Sequence, residues 1–155
     1  MLAAVPLEGR REHIVQFSSV GGRIGAPGRA PYSAAQWGVG GFSEVLAQEM
    51  ALIGVRVTIV KPGGFRTDSA GASTSIATGH ADYDAVVGKA ARMQQAYDGK
   101  QPGDPERGAR AILTIVGAER PPLRLPLGSD AVAALQRSDH VRLDELERWR
   151  ARSWT

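Results

Sequence analysis

An α/β fold built on a parallel sheet is the class that this 155-residue sequence predicts, and three observations predict it. Two short β-rich runs, residues 13–17 (HIVQF) and 55–60 (VRVTIV), flank a long segment, 32–53. In that segment the apolar residues at 39, 42, 45, 46, 50 and 53 share one helical face. Glycine and proline clusters at 21–31 and 62–64 close the two β-rich runs. Strand, long helix, strand is the pattern of a right-handed parallel crossover, and ligands of such sheets collect beyond the carboxyl ends of the strands.

Each element has its own warrant. Residues 13–17 form a first strand that runs into Ser18-Ser19-Val20-Gly21-Gly22, and the following GGRIGAPGRAP (21–31) is too rich in glycine and proline to be helical. The helix over 32–53 stops at Gly54, a residue suited to the left-handed turn that ends helices. Residues 55–60 are a second strand by their β-branched content, cut off at Pro62-Gly63-Gly64. Residues 65–79 (FRTDSAGASTSIATG) are small and polar without a period, and loops of that length in compact domains are commonly lids or binding loops. Helices are expected over 81–97 and 107–116, the latter introduced by a capping Asp104 and a first-turn Pro105. Residues 123–127 (LRLPL) are a third strand, placed at a sheet edge by its proline, and 130–152 a charged terminal helix.

Composition narrows the function. Hydrophobic residues at 43% and charged residues at 23% are those of a globular chain, and the length suits one domain. The net charge is only +3, and no basic run is interleaved with aromatics, which argues against nucleic-acid binding. Zero cysteines exclude disulfides, zinc-thiolate sites and thiol nucleophiles, and His13, His80 and His140 are not in ligand spacing, so no metal is expected. The sequence contains no asparagine, hence no N-glycosylation acceptor. Neither a membrane span nor the pattern of a signal peptide is seen, so a soluble cytoplasmic protein is expected.

The residues that carry chemistry converge. Ser19 ends the first strand, Tyr32 opens the helix, and Pro62-Gly63 with Thr67 follows the second strand, so all face one crevice of a parallel sheet. The stretch IVQFSSVGGRIGAPGRAPYSAAQWGVGGFSEVLAQEMALIGVRVTIVKPGGFRTD resembles the short-chain dehydrogenase/reductase family, with its serine, Tyr-x-x-x-Lys helix and Pro-Gly-x-x-x-Thr loop in order and at proper spacing. The likeness extends over roughly residues 2 to 130. It implies NAD(P)-dependent hydride transfer on a small carbonyl or alcohol substrate. Tyr32 would exchange the proton, Ser19 would bond the reacting oxygen, and Thr67 with the backbone of Pro62, Gly63 and Phe65 would hold the nicotinamide carboxamide. A phenol with a pKa near ~10 serves as acid or base near neutrality only beside a positive charge. The family lysine falls on Gln36, which is neutral; Lys61 is expected to be a solvated strand-end side chain rather than a substitute.

The resemblance also implies what is not here. The family's T-G-x-x-x-G-x-G pyrophosphate turn belongs far upstream of Ser19. Gly38-Val39-Gly40-Gly41 lies inside a helix and reads as close-packing positions. The expected fold is therefore a partial Rossmann-type doubly wound parallel sheet, the last three strands and their helices, with the amino-terminal nucleotide-binding half missing. Residues 1–67 would be the catalytic and nicotinamide-side segment, 68–100 the substrate loop and helix, and 101–155 the carboxyl-terminal helices and edge strand. The first strand would then present an unpaired apolar edge. Trp37, Phe42 and Met50 read as core or interface, and homo-oligomerisation is expected. A Ser19, His80, Asp68 triad lacks the G-x-S-x-G elbow, leaving His80 a loop residue. Two functions stand: an oxidoreductase inactive without its other half, and a non-catalytic dimerising or interaction module derived from the same fold.

Overall fold

A continuous β-branched strand makes the centre of the molecule. The structure, a computed structural model, describes residues 12–68 and 79–153. Its main elements are β1 (His13–Phe17), α1 (Ala30–Ala51), β2 (Arg56–Pro62), α2 (Lys89–Tyr97), α3 (Pro105–Gly117), β3 (Arg124–Leu127) and α4 (Ser129–Trp149). The three strands form one parallel sheet in the order β1-β2-β3, with His13 opposite Arg56, Phe17 opposite Val60, and Pro62 opposite Leu127. Being central, β2 is buried from Val57 to Lys61, as a parallel strand covered on both faces should be. Its one buried hydroxyl is satisfied: Thr58 donates to the Pro122 carbonyl at 2.7 Å and meets His13 Nε2 at 2.9 Å.

The core under α1 joins Ile14, Val55 and Val57 to Leu46, Ala47 and Met50. Trp37 lies under the Arg142 guanidinium of α4, 4.8 Å from its ring centre, while Phe42 and Val45 are exposed. Among the described residues β1 pairs only with β2, so its outer edge is open and Phe17 is 57% exposed.

Boundaries moved where local hydrogen bonding outweighed composition. Residues 21–31 are not wholly irregular, because Val20–Gly22 winds one 3₁₀ turn. The helix then starts at Ala30, with Pro31 in the first turn, where a missing N–H costs nothing. That helix closes near Gly54, whose φ is +78°. β2 runs on to Pro62 because Gly63 N–H bonds the Leu127 carbonyl at 3.0 Å and carries the ladder forward. The helix expected over 81–97 is wound in three ways, a 3₁₀ turn (Ala81–Tyr83), a π segment (Asp84–Gly88) and α2. Asp104 caps α3 as expected, accepting from Glu106 N–H at 2.9 Å. Gly40 is buried, with Lys61 Nζ 3.8 Å from where its Cβ would lie, an ordinary contact; Gly38 and Gly41 face open space, so the close-packing reading fails at those two. Most of the proposed binding loop, residues 69–78, lies outside the described residues. No helix among the described residues is long and apolar enough to cross a membrane.

Ile59 is fully buried, so Ile59→Ala should cost about 3 kcal/mol in urea unfolding, whereas Phe42→Ser should stay within ~0.5 kcal/mol. Burial, and secondarily Arg56, hold the His13 pKa below its usual 6.5. The unfolded chain therefore binds the extra proton first, and stability should fall as pH drops from about 6.5 toward the folded value. A His13→Gln variant followed by thermal melts across pH 5 to 7.5 should show a flatter profile.

Candidate active site

Strand alternation separates two adjacent serines. Ser18 turns toward α1 and donates to the Gln36 carbonyl at 3.0 Å, tying the strand end to the helix. Ser19 Oγ accepts from Gly21 N–H at 3.0 Å and so opens the 3₁₀ turn. A cleft of about 430 Å³ lies at the carboxyl ends of β1 and β2, within the size range of small-molecule sites. Ser19, Tyr32, Pro62, Gly63, Phe65 and Thr67 all line it, with an apolar floor from Gly108, Ala109 and Ile112 of α3.

Gln36 is the exception. It does not line the cleft, and its side-chain Oε1 is buried without a hydrogen-bond partner among the described residues. One helical turn further, Lys61 corrects another expectation: it is 6% exposed, with Nζ 3.8 Å from where a Gly40 Cβ would lie. A parallel central strand has no solvated face, so a side chain on β2 must go under a helix. Burial, above all, lowers the Lys61 pKa; Glu44 and Asp139 oppose this, while Arg124 and Arg23 add to it. Glu44 and Asp139 are each held by an arginine, at 2.7 Å by Arg124 and 2.6 Å by Arg23.

Two residues that touch the cleft's side chains without lining it escaped the sequence reading. Gly21 sits between Ser19 and Tyr32: a Cβ there would lie 2.8 Å from Tyr32 Cε1 and 3.5 Å from Ser19 Oγ, so a side chain at 21 would push the tyrosine ring from its place beside Ser19. The Ser-x-Gly spacing was its only signal. Arg29 lies with its guanidinium 5.7 Å from the Tyr32 ring centre and bonds Gln94 of α2. A positive charge is therefore present at the tyrosine, from the residue before the helix rather than the turn after it. Nothing in the spacing distinguished this arginine from its neighbours.

The second wall is the segment after β2. Gly64 N–H donates to Asp130 Oδ2 at 2.7 Å, and its carbonyl accepts from Gly103 N–H at 2.9 Å. Phe65 bridges Gly103 in a short parallel pairing, and Arg66 Nη1 reaches the Gln101 carbonyl at 3.0 Å. His80 lies 3.2 Å from Asp82 Oδ2 on an exposed turn, consistent with its reading as a loop residue.

The residues fit one end of a nicotinamide dinucleotide. A glycine-containing wall, the hydroxyls of Ser18, Ser19, Tyr32 and Thr67, and a cleft of suitable volume would suit the nicotinamide. Gly38, Gly40 and Gly41 lie inside α1 rather than at a strand-to-helix turn and so offer no pyrophosphate site.

Comparison with known proteins agrees with this geometry. A family model described as short chain dehydrogenase matches residues 1–76. The chain is 45% identical over 138 residues to Oxidoreductase BOA17 of Botryotinia fuckeliana, covering 89% of this chain and 50% of that protein. It is 32% identical over 121 residues to a 3-ketodihydrosphingosine reductase of Bacteroides thetaiotaomicron, covering 77% and 45%. A solved short-chain dehydrogenase from Streptomyces avermitilis superposes with a TM-score of 0.80 at 37% identity, covering 91% of this chain and 51% of that one. These matches together support a short-chain dehydrogenase/reductase protein. The chain spans about half the length of the curated relatives it matches.

The Lys61 pocket yields a charge test. Gln36→Lys adds an ammonium to the helical stripe that Lys61 already faces, and should lower stability by about 1 kcal/mol. In a Lys61→Met background the same change should cost less, as read by urea unfolding. Because the folded pKa of Lys61 is depressed, wild-type stability should rise with pH from that value to about 10.5, and Lys61→Met should remove the slope.

Proposed function

We propose that the chain is the catalytic-side part of an NAD(P)-dependent oxidoreductase that interconverts a small carbonyl and its alcohol. The observation that carries the reading is the facing of Ser19 and Tyr32 across Gly21 in a cleft whose other wall is the Pro62, Gly63, Phe65 and Thr67 segment. The bound cofactor would supply the hydride, and the chain's residues the proton. In reduction, Tyr32 Oη gives its proton to the carbonyl oxygen while Ser19 O–H bonds the same oxygen. Ser19 already accepts from Gly21, which orients its hydroxyl to donate. Arg29 lies over the Tyr32 ring and is tied to α2 through Gln94, so it holds the ring in place beside the cleft.

The three segments divide the work: 1–67 carries the catalytic pair and nicotinamide wall, 68–100 the substrate loop and helix, and 101–155 the support beneath. Adenosine and pyrophosphate require a glycine-rich turn that the described residues do not form, so in this reading turnover requires a complementary nucleotide-binding half and the chain alone is inactive. The apolar side chains Phe42 and Val45 on α1 and the open edge of β1 favour a second reading, a dimerising or interaction module of the same fold.

The first reading is tested by joining the chain to the nucleotide-binding half of a relative and following carbonyl-dependent NAD(P)H oxidation. Tyr32→Phe should reduce the rate by ~10² to 10⁴ and Arg29→Met by about tenfold. Gln36→Lys in the isolated chain should restore nothing. Activity unaffected by Tyr32→Phe would overturn the assignment, and a fused protein without turnover that still dimerises through α1 would favour the second reading.

A further inference from the structure

Asp130, in the first turn of α4, is a half-buried acid beside the cleft to which the proposed reaction gives no role. Its Oδ2 accepts from Gly64 N–H at 2.7 Å, and its Oδ1 is buried without a hydrogen-bond partner among the described residues. The helix amino terminus favours a carboxylate there, which offsets part of the cost of that unpaired oxygen. Two glycines make room for it. A Cβ at Gly63 would overlap the carboxylate, lying 2.6 Å from its carbon, and a Cβ at Gly128, where φ is +105°, would lie 2.6 Å from Oδ1. Gly63 has no left-handed φ, so crowding by Asp130 is the structural reason for its lack of a side chain. The next residue, Gly64, is walled by Tyr97 on its own Cα and held at its carbonyl by Gly103.

We propose that Asp130 is the positioning residue of the Pro62 to Thr67 segment, setting its path through the Gly64 amide and the bare face of Gly63. The functional part of this inference rests on the reading of that segment as the nicotinamide wall. Asp130 itself does not line the cleft and acts through the backbone.

Amide hydrogen exchange in the full 155-residue chain, followed by NMR, tests the clamp without requiring turnover. Asp130→Ala should speed exchange at Gly64 by about ten- to a hundredfold, the equivalent of a hydrogen bond to a charged group. Asp130→Asn, which still offers an oxygen, should bring it back to within roughly threefold of wild type. Gly63→Ala should shift the unfolding equilibrium about tenfold toward the unfolded chain in wild type, and much less in an Asp130→Ala background, where the carboxylate no longer meets the methyl. Unchanged Gly64 exchange in Asp130→Ala, or an equal cost of Gly63→Ala in both backgrounds, would overturn the proposal. NADPH titration of the fused protein separates the two claims. Weaker binding in Asp130→Ala with rescue by Asp130→Asn supports both, whereas wild type that fails to bind NADPH sinks the cofactor reading and leaves the clamp to be decided by exchange.

Discussion

The continuation of β2 into the Pro62-Gly63-Gly64 turn is the constraint on which the rest of the structure depends. β2 is the middle strand, buried from Val57 to Lys61, and it is bonded to β1 on one side and β3 on the other. The ladder persists through Gly63 N–H to Leu127, so the turn leaves the sheet at a defined height opposite the end of β1. Ser19 stands at that end, and α1 brings Tyr32 to it because its long crossover returns antiparallel to the strands. The cleft is thus a product of sheet order and strand length before any side chain is considered.

Charge is arranged differently from what the motif alone suggests. The position one turn after Tyr32 holds a glutamine whose Oε1 is buried and unpartnered, and the strand beneath the helix holds a buried lysine. Arg29 supplies a cation over the tyrosine ring and is tied to α2 through Gln94. The cation over the tyrosine ring is therefore coupled to the segment bordering the binding loop. Lys61 instead runs under α1 at Gly40, its Nζ at ordinary contact distance from where a Cβ would lie, while Gly38 and Gly41 face open space.

Much of this was legible in the sequence because the signals are local. The HIVQF run, the apolar stripe of α1, the β-branched run of β2 and the Asp104-Pro105 cap each declare an element through the side chains that form it. The motif residues Ser19, Tyr32, Pro62, Gly63, Phe65 and Thr67 meet in the cleft because their spacing follows strand ends. What could not be read depends on partners distant in the chain. Asp130 reaches Gly64 across 66 positions, and Arg29 reaches Gln94 across 65. The burial of Lys61 follows from strand order, which the composition of VRVTIV does not state. The π winding of Asp84–Gly88 likewise has no signature in its period.

The central claim is that the nicotinamide end of the cofactor sits between the end of β1 and the turn after β2. It is tested most directly by titrating the ¹⁵N-labelled chain with reduced nicotinamide mononucleotide, which needs no pyrophosphate-to-adenosine site. The account predicts saturable shifts at the amides of Ser19, Gly21, Gly63, Phe65 and Thr67, with α4 beyond its first turn unmoved. Shifts confined to other surfaces, or none up to millimolar probe, would contradict it.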